Sequence, residues 1–485
     1  MKNLSLRRKR EVFVRNVNRV IAKFFYPGND ERIRSLIDRI LKIPEKKTSD
    51  LVESILSDFS SRHHNISEIM LKNFGKVSRH IPCPEKLGTN KKMLIGAYFT
   101  HEYSVESAAL FNPSIVPHPD QSDLSSDSVR IIMSFRATGE GHISSIVFRD
   151  GIIDYKNNVK MNPVSPYIET PKNSLDPVYD KHTFLLKLDD IGACGETTDL
   201  LFSALPDRFP LSELRNRIDE ESLQREDDLV FKEIRNVINW VAESNYEESF
   251  REESVLSERV IFPISHIEQH GIEDARFVKF TDDDGTVTYY ATYTAFSGQN
   301  ILPMLLKTKD FLSFKIRTLN GKSAQNKGMA LFPRKIKGKY LMISRIDGEN
   351  LYIMKSDNIN FWHEAKKLYS PTYSWEMVQS GNCGSPIETD AGWLLLTHGV
   401  GPMRKYSIGC LLLDKDDPSK VIGKLEDPLI TPLESEREGY VPNVVYTCGA
   451  IVHNDVLIVP YAMSDITTGI ATIELKTLLN NFTRI

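Results

Sequence analysis

Trp393-Leu-Leu-Leu-Thr-His-Gly-Val400, a polar knot, and then Ile408-Gly-Cys-Leu-Leu-Leu413 set the pattern by which the rest of the chain is read. Short runs rich in β-branched, aromatic and other apolar residues, closed off by Gly, Asp and Asn, are strand signals, and two in succession make a strand pair. The same wording returns four times. Val129-Arg-Ile-Ile-Met-Ser-Phe135 is followed by His142-Ile-Ser-Ser-Ile-Val-Phe148, Tyr289–Ala295 by Met304-Leu-Leu-Lys307, Tyr340–Arg345 by Leu351-Tyr-Ile-Met-Lys355, and Val456–Ala462 by Ile470–Leu475. The last four copies start about 50 to 60 residues apart, the period of propeller blades, sheets of about four strands set round an axis. Lys309-Asp310-Phe311 and Ser356-Asp357, with Trp362 beyond, follow the second strand of their copies in the same way. The expected fold is therefore mainly β, a five-bladed β-propeller; a β-sandwich with strands of similar length is the alternative.

Working outward, the flanks change texture. Residues 1 to about 80 read as helical. Leu51, Val52, Ile55, Leu56 and Phe59 share one face of a 3.6-residue repeat, with Thr48 and Ser49 as candidate N-caps. Asp30 to Leu41 fits a helix between Pro27-Gly28 and Pro44, and Ile66 to Val77 fits another. A helical interruption, about 208–258, separates the first copy from the second, its stripe marked by Leu229, Ile234, Val237, Ile238 and Val241. The expected organisation is a helical N-terminal module at 1–90 and a propeller domain at 91–485. The insert should lie outside the propeller, packed against the N-terminal helices, where a homo-oligomer would also form.

Composition excludes several classes. Apolar residues are 41% and charged residues 26%, ordinary for a globular protein. A net charge of −4 gives no reason to expect nucleic acid or an anionic membrane. Nothing approaches the roughly 18 apolar residues of a membrane span. Met1 to Arg10 is basic without a secretory apolar core, so a cytoplasmic location is expected. Cys83, Cys194, Cys383, Cys410 and Cys448 are odd in number and scattered, which supports neither a disulfide framework nor a zinc site.

A propeller gathers strand ends and loops at its axial mouth, so a site should draw polar residues from every copy. The first copy offers Asn112, for a sugar hydroxyl or merely an Asn-Pro turn, and Arg136, at the end of an apolar strand that requires a partner for its charge. Before the second copy, Glu273-Asp274-Ala275-Arg276 lies between apolar Ile272 and Phe277. Arg276 is expected to hold Glu273 ionised, and a carboxyl in a partly dry cleft to favour its neutral form, as a general acid must. A charged turn is the bland reading. Lys327, Arg345, and His398 with Arg404 form a set of cations beside apolar strand ends, an arrangement that suits phosphate. Ser464-Asp465 ends the first strand of the fifth copy and could bind vicinal hydroxyls or cap a turn. Gly139-Glu-Gly141 is no dinucleotide fingerprint, since no helix follows it, and His63-His64 has no partners at metal spacing.

Glu273-Asp274-Ala275-Arg276, Asn326-Lys327-Gly328, Leu331-Phe332-Pro333-Arg334-Lys335-Ile336, Ser344-Arg345, Gly392-Trp393-Leu394 and Thr397-His398-Gly399-Val400 together resemble glycoside hydrolase family 130, the β-mannoside phosphorylases and β-1,2-mannosidases. The resemblance runs in order from about residue 105 to 475. Members commonly have proline where this chain has Ala275, and they lack the helical N-terminus and insert. The resemblance implies a five-bladed propeller with Asp274 as general acid, acting through the mannose 3-hydroxyl. It implies mannose binding by Asn112, Arg136 and Asp465, beside Glu273 and Arg276, and phosphate binding by Lys327, Arg345, His398 and Tyr406.

An inverting hydrolase needs two carboxyl groups with room for water between them. Phosphorolysis needs only the acid, because phosphate is already an anionic nucleophile and requires holding. The family's hydrolases lack the cationic set that this chain retains. The expected activity is reversible, inverting phosphorolysis of a β-mannoside to α-mannose 1-phosphate, with inorganic phosphate as co-substrate and no metal or organic cofactor. An inverting β-mannosidase is the alternative; a non-catalytic glycan-binding propeller and a scaffold built on the helical segments stand further off.

Overall fold

Each of the five strand pairs becomes an antiparallel hairpin within its own sheet. The structure is a computed structural model describing residues 5–173, 177–225, 228–296 and 301–484. In the first sheet the order is Val260–Ile261, Ser144–Ile153, Val129–Thr138, Ala109–Pro117. The second begins Ile272–Thr281, Val287–Phe296, Ile301–Thr308, Ser313–Thr318 and ends with Tyr246–Ser249 and Lys172–Asn173. Four strands, Ala330–Leu331, Tyr340–Ser344, Leu351–Ser356 and Glu364–Tyr369, form the third. Gln379–Asn382, Gly392–Val400, Tyr406–Leu413, Val421–Lys424 and Thr483–Arg484 lead the fourth, and Val445–Tyr446, Val456–Met463, Thr467–Glu474 and Arg7–Phe13 the fifth.

Side chains alternate across a strand, so a sheet covered on both faces reads as a continuous apolar run. Gly392–Val400 is buried throughout for that reason. Trp393 and Leu395 pack with Leu341 and Ile343 of the third sheet, while Leu394 and Leu396 pack with Leu457 and Val459 of the fifth. Similar clusters join the first sheet to the second through Phe148 and Phe277, and the second to the third through Leu305 and Met342. Ile115, Met133 and Phe135 of the first sheet pack with Ile458 and Ile470 of the fifth, so the series of contacts returns to its start.

The helices at Asp30–Leu41 and Ile66–Val77 have the expected bounds. Asn29 caps the former by accepting from Arg32 N at 2.9 Å. Elsewhere the helical expectation needs correction. Arg7–Phe13 and Val20–Phe24 are strands, the former pairing with Thr467–Glu474 and the latter with Thr100–Ser104. Glu45–Phe59 starts after Pro44, ahead of Thr48, whose buried hydroxyl accepts from Lys91 Nζ at 2.8 Å instead of capping. A further helix, Thr89–Tyr98, runs across the expected boundary at 90 and packs so closely that Gly96 meets the Met70 backbone, leaving no room for a Cβ.

The insert is larger upstream and shorter downstream than its periodicity suggests. Lys181–Asp190 and Glu196–Ser203 precede Leu211–Gln224 and Leu229–Glu243, and Tyr246–Ser249 is already a strand of the second sheet. Leu229 is exposed, so the buried stripe runs through Phe231, Ile238 and Val241. The insert keeps a hydrophobic cluster of its own, separate from that of the N-terminal helices. It is anchored to the second sheet, where buried Lys187 donates to Asn245 Oδ1 at 2.5 Å and Thr318 Oγ1 at 2.8 Å.

Candidate active site

The five large sheets contribute to one cavity of about 390 Å³ through Ala109–Pro117, Ile272–Thr281, the loop before Ala330–Leu331, Gln379–Asn382 and Val445–Tyr446. Of the residues singled out from the sequence, Asn112, Arg136, Glu273, Asp274, Arg276, Lys327, Arg345, His398, Arg404, Tyr406 and Asp465 line it, and Ser464 does not. Two β-bulges aim the inner ones. The ladder slips between Phe111 and Ser114, and again between Glu273 and Arg276. Asn112 and Asp274 sit in these bulges with φ of 46° and 55°, a left-handed conformation that Asn and Asp adopt more readily than most residues. A bulge breaks strand alternation and turns a side chain out of the sheet, here into the cavity. The two bulged residues meet: Asn112 Nδ2 donates to Asp274 Oδ1 at 2.7 Å.

Arg136 Nη2 reaches Glu273 Oε1 at 3.0 Å, and its Nη1 lies 3.5 Å from Asp274 Oδ1. Lys327 Nζ pairs with Glu273 Oε2 at 2.7 Å. The sequence expectation that Arg276 holds Glu273 needs correction, since Glu273 pairs with Arg136 and Lys327. Because the bulge separates it from Glu273, Arg276 turns back to Asp274, donating to its carbonyl oxygen at 2.8 Å, and it donates to the Tyr446 hydroxyl at 2.5 Å.

The expectation that Asp274 favours its neutral form also needs correction. Burial alone pushes its pKa up, but Arg136, Arg276, the Asn112 hydrogen bond and Lys327 together hold it below the ordinary aspartate value. The carboxyl that burial does keep protonated is Asp465, raised from 3.8 to about 7 by burial and by Asp274, against the opposing pull of Arg136 and Arg404. Two carboxyls in one cavity are thus driven apart, one ionised and one holding a proton near neutrality.

His398, 4% exposed, is not the cation its company suggested. Burial first, then Arg345 and Arg276, lower its pKa well below the usual histidine value, so the imidazole is neutral. Its Nε2 lies 3.3 Å from Arg345 Nη1, and its ring stacks on Tyr406 at 5.9 Å. Gly381 makes this placement possible: a Cβ there would overlap the ring, 2.8 Å from Nε2. Arg345 has no carboxylate within ion-pair distance among the described residues. With its amide turned to suit its neighbours, Gln379 accepts from Arg345 Nη1 at 2.8 Å. Five guanidinium or ammonium groups (Arg136, Arg276, Lys327, Arg345, Arg404) face three carboxyls across the cavity. The cavity is locally positive in a chain whose net charge is −4, which favours an anionic ligand.

Sequence reasoning passed over Tyr446, Gln379, Gly381 and Asn382, all lining the cavity. The last three lie in Gln379-Ser-Gly-Asn-Cys-Gly384, a small, polar run whose inner position only the fold reveals. Among the described residues, no group of three or more His, Cys, Asp or Glu side chains could hold a metal, and no helix is long and apolar enough to cross a membrane.

The family model described as beta-1,4-mannooligosaccharide phosphorylase matches residues 232–484. Asn112 and Arg136 lie outside that match and join the site through Asp274 and Glu273. A 1,2-beta-oligomannan phosphorylase from Thermoanaerobacter sp. (strain X514) is 38% identical over 213 residues, 43% of this chain and 70% of the relative. A beta-1,2-mannobiose phosphorylase from Listeria innocua is 30% identical over 223 residues, 44% of this chain and 61% of the relative. The solved structure of a Listeria innocua beta-1,2-mannobiose phosphorylase with beta-1,2-mannobiose covers 78% of this chain and 92% of its own, at 19% identity and a TM-score of 0.46. From the length of the family match and the identity of these relatives, the chain belongs to glycoside hydrolase family 130.

Proposed function

We propose that the chain is a cytoplasmic, five-bladed propeller β-mannoside phosphorylase in which Asp274 delivers a proton to the leaving sugar and Lys327, Arg345, His398 and Tyr406 hold inorganic phosphate. The observation that carries this reading is the pairing, in one positive cavity, of a carboxylate cluster with Arg345, a guanidinium that no carboxylate neutralises among the described residues. The family's phosphorylases support the activity, and the five sheets with their returning series of contacts support the propeller. All five cysteines are free thiols, as a reducing compartment would keep them.

In the reaction, a phosphate oxygen attacks the anomeric carbon from the face opposite the leaving group. The bond to the leaving oxygen breaks as the bond to phosphate forms, and β-mannoside becomes α-mannose 1-phosphate. Asp274 supplies the proton that the leaving oxygen takes up, relayed by the mannose 3-hydroxyl. Hydrogen phosphate loses one proton on becoming the ester, and that proton restores Asp274. The depressed pKa of Asp274 fits this cycle: a dianion bound beside Lys327 and Arg345 offsets the cations that hold the carboxylate ionised, and so favours its protonation. Phosphate is then both the nucleophile and the ligand that arms the acid. Asn112, Arg136, Glu273, Arg276 and Asp465 would contact the mannosyl unit.

The test is the reverse reaction: α-mannose 1-phosphate with mannose, glucose, N-acetylglucosamine and mannobioses as acceptors, following phosphate release, with Asp274→Asn as control. Release that depends on both acceptor and Asp274 supports the phosphorylase. No release, together with free mannose from β-mannosides in phosphate-free buffer, overturns it in favour of hydrolysis.

A further inference from the structure

The cavity wall between the third and fourth sheets carries polar atoms that the ion pairs do not use. Asn382 lines the cavity and is 0% exposed, yet neither its Nδ2 nor its Oδ1 has a hydrogen-bond partner among the described residues. It lies on the strand Gln379–Asn382, one residue beyond Gly381, which pairs with His398. A Cβ added to Gly328 would lie 3.7 Å from Asn382 Oδ1, so the carboxamide abuts the backbone beside Lys327. It therefore sits between two of the groups assigned to phosphate. Arg345 Nε and His398 Nδ1 are likewise buried and unpartnered.

A buried amide left unpaired is costly, and nearly all such groups in folded proteins find partners. A carboxamide offers what the charged groups here do not: donors and an acceptor on one neutral plane. Hydrogen phosphate presents the complement, oxygens that accept and one hydroxyl that donates. Sulfate has the same size and charge but nothing to donate, so an acceptor oxygen in its site repels it.

We infer that Asn382 is a further phosphate-binding residue, its Nδ2 donating to one phosphate oxygen and its Oδ1 accepting from the phosphate hydroxyl, so that it selects hydrogen phosphate over sulfate. This rests on the phosphorylase reading. The cations supply attraction common to any dianion; Asn382 supplies the discrimination.

The test is calorimetric titration of the full-length protein with inorganic phosphate and, separately, with sulfate, for wild type, Asn382→Leu and Asn382→Asp. Leucine fills nearly the same volume without polar atoms, and aspartate keeps the shape. Wild type should bind phosphate at least about tenfold more tightly than sulfate, the discrimination expected of a hydrogen bond to a charged ligand. Asn382→Leu should weaken phosphate by about that factor and bring the two affinities together, and Asn382→Asp should weaken both anions. An unchanged phosphate-to-sulfate ratio in Asn382→Leu, in a protein that still makes mannosides from α-mannose 1-phosphate, overturns the inference and leaves the phosphorylase standing. A wild type that neither binds phosphate nor releases it in synthesis overturns both.

Discussion

Asp465→Asn tests the division of labour between the two carboxyls through stability alone. In the unfolded chain an aspartate gives up its proton near 3.8; in the folded cavity Asp465 keeps it to about 7, because burial and the Asp274 charge outweigh Arg136 and Arg404. Below the unfolded value both states are protonated and the side chain favours neither. Between the two values the folded state holds a proton that the unfolded state has lost, so stability falls by about 1.4 kcal/mol per pH unit as pH rises. The whole gap corresponds to about 4 kcal/mol, and about 3 kcal/mol of it falls between pH 5 and pH 8. Asparagine cannot ionise and escapes that loss. For a chain of this length, at a few cal/mol/K per residue, 1 kcal/mol moves the midpoint by about 1 °C. Differential scanning calorimetry of wild type and variant at pH 5 and pH 8 should show the variant gaining about 3 °C on wild type between the two. The same difference in midpoint at both pH values would refute the argument that Asp465 holds a proton in the cavity.

Three further outcomes follow from the same geometry. Asp274→Asn should retain the fold and the Asn112 contact while lowering kcat by roughly a thousandfold, the usual contribution of a general acid; steady-state phosphorolysis reads it. Arg345→Ala should raise KM for phosphate by about ten- to a hundred-fold, as loss of a charge-assisted bond does, with KM for the mannoside within about twofold. Gly381→Ala forces a methyl group against the His398 ring and should cost about 1–3 kcal/mol, with weaker phosphate binding as the imidazole is displaced; thermal midpoints and phosphate KM measure both.

The five hairpins could be read from the sequence because both faces of each sheet are covered, leaving unbroken apolar runs between polar knots. Arg7–Phe13 could not: it is an edge strand whose charged side chains stay largely outside, so Arg-Arg-Lys-Arg-Glu carries no strand alternation. Tyr246–Ser249 was hidden for the opposite reason, since a buried Glu248 interrupts its apolar side. Lys181–Asp190 and Glu196–Ser203 each bury only three residues, too few to show a helical period. In the site, the residue types were legible and their partnerships were not. Which cation meets Glu273 and which meets Asp274 depends on a bulge of one residue, and the neutrality of His398 depends on burial between two arginines.

The strand at Arg7–Phe13 also sets an order of events during synthesis. Its partner Thr472 lies 465 residues downstream. At ribosomal rates of roughly 5–20 residues per second, it waits about 20 to 90 s for that partner to emerge. Until then it has no sheet to join, and afterwards Thr467–Glu474 presents an open edge, apt to recruit another chain, until the early strand arrives. Arg8 gives that arrival an address, engaging Glu436 at 2.9 Å, Tyr461 at 3.1 Å and the Thr431 carbonyl at 2.8 Å, all made late. A chain released before residue 430 would hold a strand with nowhere to dock, and quality control would meet an unpaired strand instead of a shortened enzyme.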